Sequence, residues 1–243
     1  MKKIKLISIL IGIFVMSCTN QNNNPFLIEW DTPFQVPPFD KIKEAHYMPA
    51  LKEGIEREKQ EIQDIINNPD TPTFENTIEA FEATGQFLSK VSNVFYNVRS
   101  TNANDNLDKI AREFSPLRTK HNDDIILNTD LFKKIKYVFD NTDRSALPTE
   151  QLTLLSKIYG DFIRNGANLN GEQKDKLRKI NEELSLLSLK FGQNVRDDGN
   201  EWELVLEESD LTGLSESVIV AAAGIAGERG HDDKWVITLD KPS

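Results

Sequence analysis

The segment from Glu172 to about Val195 carries Leu177, Ile180, Leu184, Leu187 and Phe191 at spacings of three, four, three and four. A strand brings alternate residues to one face, whereas a helix aligns residues three and four apart. A stripe this narrow is the seam of paired long helices. The same periodicity runs through most of the chain. From Pro49, which suits a first helical position, Leu51, Ile55, Ile62 and Ile66 form one stripe, with Glu53, Glu56, Glu58 and Glu61 on other faces. Thr73 is a helix N-cap, and Ile78, Phe81, Leu88, Val91, Phe95 and Val98 continue from it as one helix. A third helix starts near Asp105, with Leu107, Ile110, Phe114 and Leu117 on its stripe and Pro116 expected to kink or break it. Shorter helices follow, burying Leu131, Phe132, Ile135, Val138 and Phe139, then Leu152, Leu155, Tyr159 and Phe162. No fixed-period repeat occurs, which argues against a solenoid.

Near Gly199 the pattern changes. "EWELVLEE" and "DKWVITLDKPS" alternate as half-buried strands do, and "SESVIVAAAGIAGERG" between them reads as a short helix. Residues 201–243 are thus expected to form a strand–helix–strand element. Two strands make a marginal sheet, so this element reads as the start of an incomplete α/β subdomain with exposed apolar surface. The fold class is mainly α, with a helical domain over 26–200. Before it, "FLIEWDTPFQVPPFD" holds three prolines and reads as an extended arm laying Phe26, Trp30, Phe34 and Phe39 onto the body.

The first residues are expected to be a targeting segment. "MKKIK" is basic, and Leu6 to Met16 is apolar but too short to span a bilayer. The ending Val15-Met16-Ser17-Cys18 resembles a bacterial lipobox, which implies a signal peptide over 1–17 and lipidation of Cys18. Cys18 is the only cysteine, so no intramolecular disulfide is available. Residues 18–25 read as a polar tether. The expected product is an exported bacterial lipoprotein, anchored to a membrane in the periplasm or at the cell surface. The formal charge of −10 becomes −13 when Lys2, Lys3 and Lys5 leave with the signal. An acidic chain lacks the basic face that nucleic acid requires.

Catalytic chemistry finds no candidates here. His46, His121 and His231 are the only histidines, and no two are four apart, so no His-Glu-x-x-His pair can grip zinc. His121 reads as a satisfied interior histidine, His46 as a residue fixing the start of a helix, and His231 as a solvated turn residue. "GIAGERG" lacks the leading strand of a phosphate loop, and no Gly-x-Ser-x-Gly elbow is present. The many carboxylates read as solvated helix faces. No catalytic or metal-binding residue is assigned, and no residue is assigned to substrate.

Four strings, "PPFDKIKEAHYMPAL", "PTFENTIEAFEATG", "LRKINEELSLLSLKFGQNV" and "KWVITLDKPS", together resemble the amino-terminal part of the thimet oligopeptidase family of zinc metallopeptidases, in particular its bacterial peptidyl-dipeptidases (dipeptidyl carboxypeptidases). The resemblance spans roughly Pro25 to Ser243. It implies a longer helical protein with two lobes around a deep channel, acting on short peptides. In that family zinc is held by the two histidines of a His-Glu-x-x-His helix and a glutamate of a later helix, and the motif glutamate serves as base. These residues lie in the carboxyl-terminal part, and none has a counterpart in this sequence. The expectation is that the chain binds no zinc, is inactive alone, and supplies channel wall and substrate access to a missing catalytic region. The alternative is a complete helical surface lipoprotein that binds peptides or a partner.

Overall fold

A computed structural model describes residues 24–239. The expected signal segment and Cys18 lie outside the described residues. Asn24 and Pro25, assigned by the sequence to the end of the tether, are instead buried. Asn24 Nδ2 donates to the His46 carbonyl at 2.9 Å, and its Oδ1 accepts from the Phe26 N–H at 3.1 Å. Trp30 Nε1 donates to the Pro25 carbonyl. These bonds draw Phe26 and Trp30 into the core. Phe34 and Phe39 do not follow: Phe34 sits in a left-handed turn conformation at φ 57° and is fully exposed, and Phe39 is half exposed.

Helix α1 is Glu44–Asn67, starting well before Pro49. The reciprocal cap fixes that start: His46 Nδ1 accepts from the Lys43 N–H at 3.0 Å. Pro49 lies inside the helix, where its missing N–H leaves the Ala45 carbonyl without its usual donor. Gly54 lets the next long helix approach, since a Cβ there would lie 2.9 Å from Leu88 Cα.

Thr73 caps the following segment as its hydroxyl predicts, with Oγ1 accepting from the Asn76 N–H. The segment is a π-helical turn, Phe74–Glu79, that runs into α2, Ala80–Glu82. The single helix expected from Thr73 onward is broken at Gly85, which has φ 69° and donates its N–H to Glu61 Oε2 at 2.8 Å. Only glycine adopts that conformation without strain. Helix α3 then runs Gln86–Thr101. Helix α4, Asp105–Ile126, passes through Pro116 uninterrupted; buried Phe114 and His121 hold it on either side. Helices α5, Thr129–Asn141, and α6, Thr149–Arg164, bury most of the apolar positions that their spacing assigns, Leu131, Phe132, Ile135 and Val138 on one and Leu155 and Phe162 on the other, while Phe139, Leu152 and Tyr159 at the edge of the stripe are only half-buried.

Two apolar clusters result. One gathers Phe26, Tyr47, Leu51, Phe95, Leu107 and Phe114. The other gathers Ile62, Ile78, Ile125, Leu131, Ile135 and Phe162. Helices α1 and α4 contribute to both, so they form the spine of the body.

Helix α7, Gly171–Glu201, is 31 residues long, and none of them is buried. It packs on α4, but not through the expected seam. Ile180, Leu184, Leu187 and Phe191 are 49 to 71% exposed. The face toward α4 is polar, apart from Leu189, which reaches the first apolar cluster.

After α7 come the two strands and helix that the alternation predicts. Strand β1, Leu204–Leu206, pairs antiparallel with β2, Trp235–Ile237, with Val205 opposite Val236. Helix α8, Glu216–Glu228, packs on β2, where Ala222, Ala226 and Val236 are buried. Trp202, Leu204, Val205, Val218 and Val220 stay exposed.

Candidate functional site

The polar groups of greatest interest lie where the two apolar clusters meet. Along α1, Glu58 falls between Ile55 of one cluster and Ile62 of the other; along α4, His121 falls between Phe114 and Ile125. Helical spacing turns both side chains inward at the same level. His121 Nε2 lies 2.8 Å from Glu58 Oε2, with the imidazole 4% exposed. Its Nδ1 is buried without a partner. The interior reading of His121 therefore holds, but only one ring nitrogen is satisfied. Glu58, read from sequence as a residue of a solvated face, is an interior carboxylate with a 17% exposed side chain.

One turn along α4 a second layer joins α7. Asn181 Nδ2 donates to Asp123 Oδ1 at 2.7 Å. Burial pushes the Asp123 carboxyl above its usual value, with Asn181 and Arg178 opposing the rise. Arg178 donates to Asp124 Oδ1 at 2.7 Å, and Lys120 pairs with the other oxygen of the same carboxylate. Far along α7, Arg196 donates to Asp108 Oδ2 at 2.6 Å, and Arg99 of α3 takes Oδ1. A shallow groove beside these pairs is lined by Lys52, Lys59, Leu117, Lys120, His121 and Asp124.

This geometry joins helices. His121 is almost wholly buried and its Nε2 meets the Glu58 carboxylate, so the pair ties α4 to α1. The described residues bring no three His, Cys, Asp or Glu side chains together as a metal site.

The other histidines divide. His46 fixes the start of α1, as its position before a helical run implies. His231 is not a free turn residue: its Nε2 lies 2.7 Å from Glu203 Oε1, and this bond is the main cause that holds the Glu203 carboxyl below its usual range. Sequence reasoning missed Glu58, Asp108, Arg99, Arg178, Asn181 and Arg196. A signal existed for the α7 members, because Arg178, Asn181, Ser185, Leu189 and Arg196 recur at three, four, four and seven. Glu58 carried one as well, standing on the Leu51–Ile55–Ile62 stripe at spacings of four, three and four; Asp108 and Arg99 pair across two helices, which spacing along one helix does not show. Among the described residues no helix is long and apolar enough to cross a membrane.

Comparison with known proteins gives a consistent set of relatives. The chain is 36% identical over 217 residues to the dipeptidyl carboxypeptidase of Escherichia coli (strain K12), covering 89% of this chain and 32% of that protein. It is 34% identical over 219 residues to the dipeptidyl carboxypeptidase of Salmonella typhimurium, covering 90% of this chain and 32% of the relative. Oligopeptidase A of Escherichia coli is 26% identical over 221 residues, again 90% and 32%. The chain thus spans about a third of the length of these relatives. No family model matches it.

Proposed function

We propose that this chain belongs to the dipeptidyl carboxypeptidase branch of the thimet oligopeptidase family, and that it is the non-catalytic, amino-terminal part of such a zinc peptidase. The observation that carries the reading is 36% identity to a dipeptidyl carboxypeptidase over 89% of the chain. The four resembling strings agree with it, scattered as they are from the arm to the last strand. In this reading the helices wall one side of a substrate channel, short peptides enter past them, and dipeptides leave from peptide C-termini. The zinc and its ligands belong to polypeptide equivalent to the other two thirds of the relatives. What this chain's residues do is structural: Glu58, His121, Asp123 and Asp108 hold three or four helices at fixed spacing, so that the wall keeps its shape.

The chain is further proposed to be an exported lipoprotein. The motivation is the lipobox-like ending at Cys18. Mass spectrometry of the mature amino terminus tests this. The expected product begins at a diacylglyceryl-modified Cys18; an unmodified Cys18 or cleavage elsewhere contradicts it. The peptidase reading is tested with the purified chain and a blocked tripeptide, with and without a chelator. No dipeptide should be released by this chain alone. Chelator-sensitive release by the pure chain would overturn the division of labour. A chain that binds short peptides tightly on its own, without any complementing polypeptide, would favour a peptide-binding module instead.

A further inference from the structure

We infer that the exposed stripe of α7, Ile180, Leu184, Leu187, Phe191 and Val195, is the docking surface for a helix of the polypeptide equivalent to the two thirds of the relatives outside this chain. The inference rests on the peptidase reading and names the surface through which that reading would be completed. Three observations converge on it. The stripe is apolar where the rest of the helix is not: residues 184–195 include a single charged side chain, Lys190, yet Leu184, Leu187, Phe191 and Val195 are 55 to 71% exposed. The stripe is also geometrically free. At about 100° per residue it centres on the order of 130° around α7 from Arg178, Asn181 and Arg196, so α4 leaves it uncovered while fixing the helix that carries it. Finally, the spacing of four, three, four and four matches the seam of two helices packed at a shallow angle, which calls for a helix rather than a strand or a bilayer.

The distribution of burial points the same way. Among the described residues, thirty apolar residues are buried and all of them but Ala222, Ala226 and Val236 precede residue 180, whereas thirteen of the nineteen large exposed apolar residues lie at or beyond it. The uncovered surface is therefore concentrated in the last quarter of the chain, beside no described partner. The matching length sets the occupant: the aligned region is 32% of the Escherichia coli relative, leaving about twice as much polypeptide to cover it. Self-pairing of two copies would use the same stripe but explains none of that length.

The test is co-expression of the full chain, tagged, with the part of the Escherichia coli dipeptidyl carboxypeptidase outside the aligned 217 residues, followed by affinity capture and titration of the purified partners. Leu187→Lys and Phe191→Lys touch only exposed positions and should keep the helical circular dichroism of the parent. Each should weaken the complex at least tenfold, while Lys179→Glu, on another face of α7, should change it less than twofold. A complex indifferent to Leu187→Lys and Phe191→Lys overturns this inference and leaves the peptidase reading standing. No complex at all removes both. A dimer of the chain alone that Phe191→Lys dissociates assigns the stripe to a second copy and also overturns the inference.

Discussion

Asp123 shows how a single carboxylate can work against the fold it sits in. It is 4% exposed, and burial raises its pKa despite Asn181 and Arg178. Folding therefore disfavours its ionised form, and the native state loses stability as pH rises from the usual 3.8 through the raised value. Asn at this position still accepts from Asn181 and carries no charge. Asp123→Asn should unfold at higher urea than the parent at pH 7, and the gap should shrink as pH falls toward the ordinary carboxylate range; a gap independent of pH contradicts the assignment. Asp108 is the opposite case. It is flanked by Arg99 and Arg196, so Asp108→Ala strands two cations at a largely buried junction. The expected loss is about 3 kcal/mol in urea unfolding, and a loss under about 1 kcal/mol would mean that solvent already screens the network.

At the scale of elements, glycine and caps decide where helices begin and stop. Gly85 combines φ 69° with a Cβ position 2.4 Å from Glu58 Oε1. Gly85→Ala must both strain the backbone and push Glu58 off His121. It should cost about 2 kcal/mol, read in thermal unfolding, from left-handed strain and the displaced carboxylate together. An unchanged Tm would remove Gly85 from this role. The same residue explains what the sequence hid. Apolar positions from Ile78 to Val98 keep helical spacing straight across Gly85, so periodicity reads one helix where the chain makes two. Pro49 and Pro116 misled in the other direction. Proline weakens a helix by about 3 kcal/mol, but buried neighbours such as Leu51 and Phe114 offset that, and both helices run through. Where spacing and packing agree, as on α5 and α6, the buried residues were legible. Glu58 was legible too, since Leu51, Ile55, Glu58 and Ile62 are spaced four, three and four and so share one helix face, whereas Glu53 lies off it; its partner His121 was not, because that pairing spans 63 residues of chain. The α7 seam was legible as apolar, yet among the described residues nothing covers it.

Taken as a whole, the molecule is a helical body with two apolar clusters on an α1–α4 spine and one uncovered flank. Burying a Leu or Phe side chain fully contributes about 1.5–3 kcal/mol, so the α7 stripe alone withholds several kcal/mol. An apolar dye such as ANS should bind the isolated chain, and Leu187→Lys with Phe191→Lys should lower that signal at least by half; an unchanged signal would place the exposed surface elsewhere. The account's central claim is that this chain is one structural part of a peptidase whose chemistry is encoded in the remaining length. Release of dipeptides from a blocked tripeptide, measured for the chain alone, for the complementary two thirds of the Escherichia coli relative alone, and for both co-expressed, tests this most directly. The account predicts chelator-sensitive activity in the co-expressed pair at least tenfold above either part. Equal activity with and without this chain would contradict it.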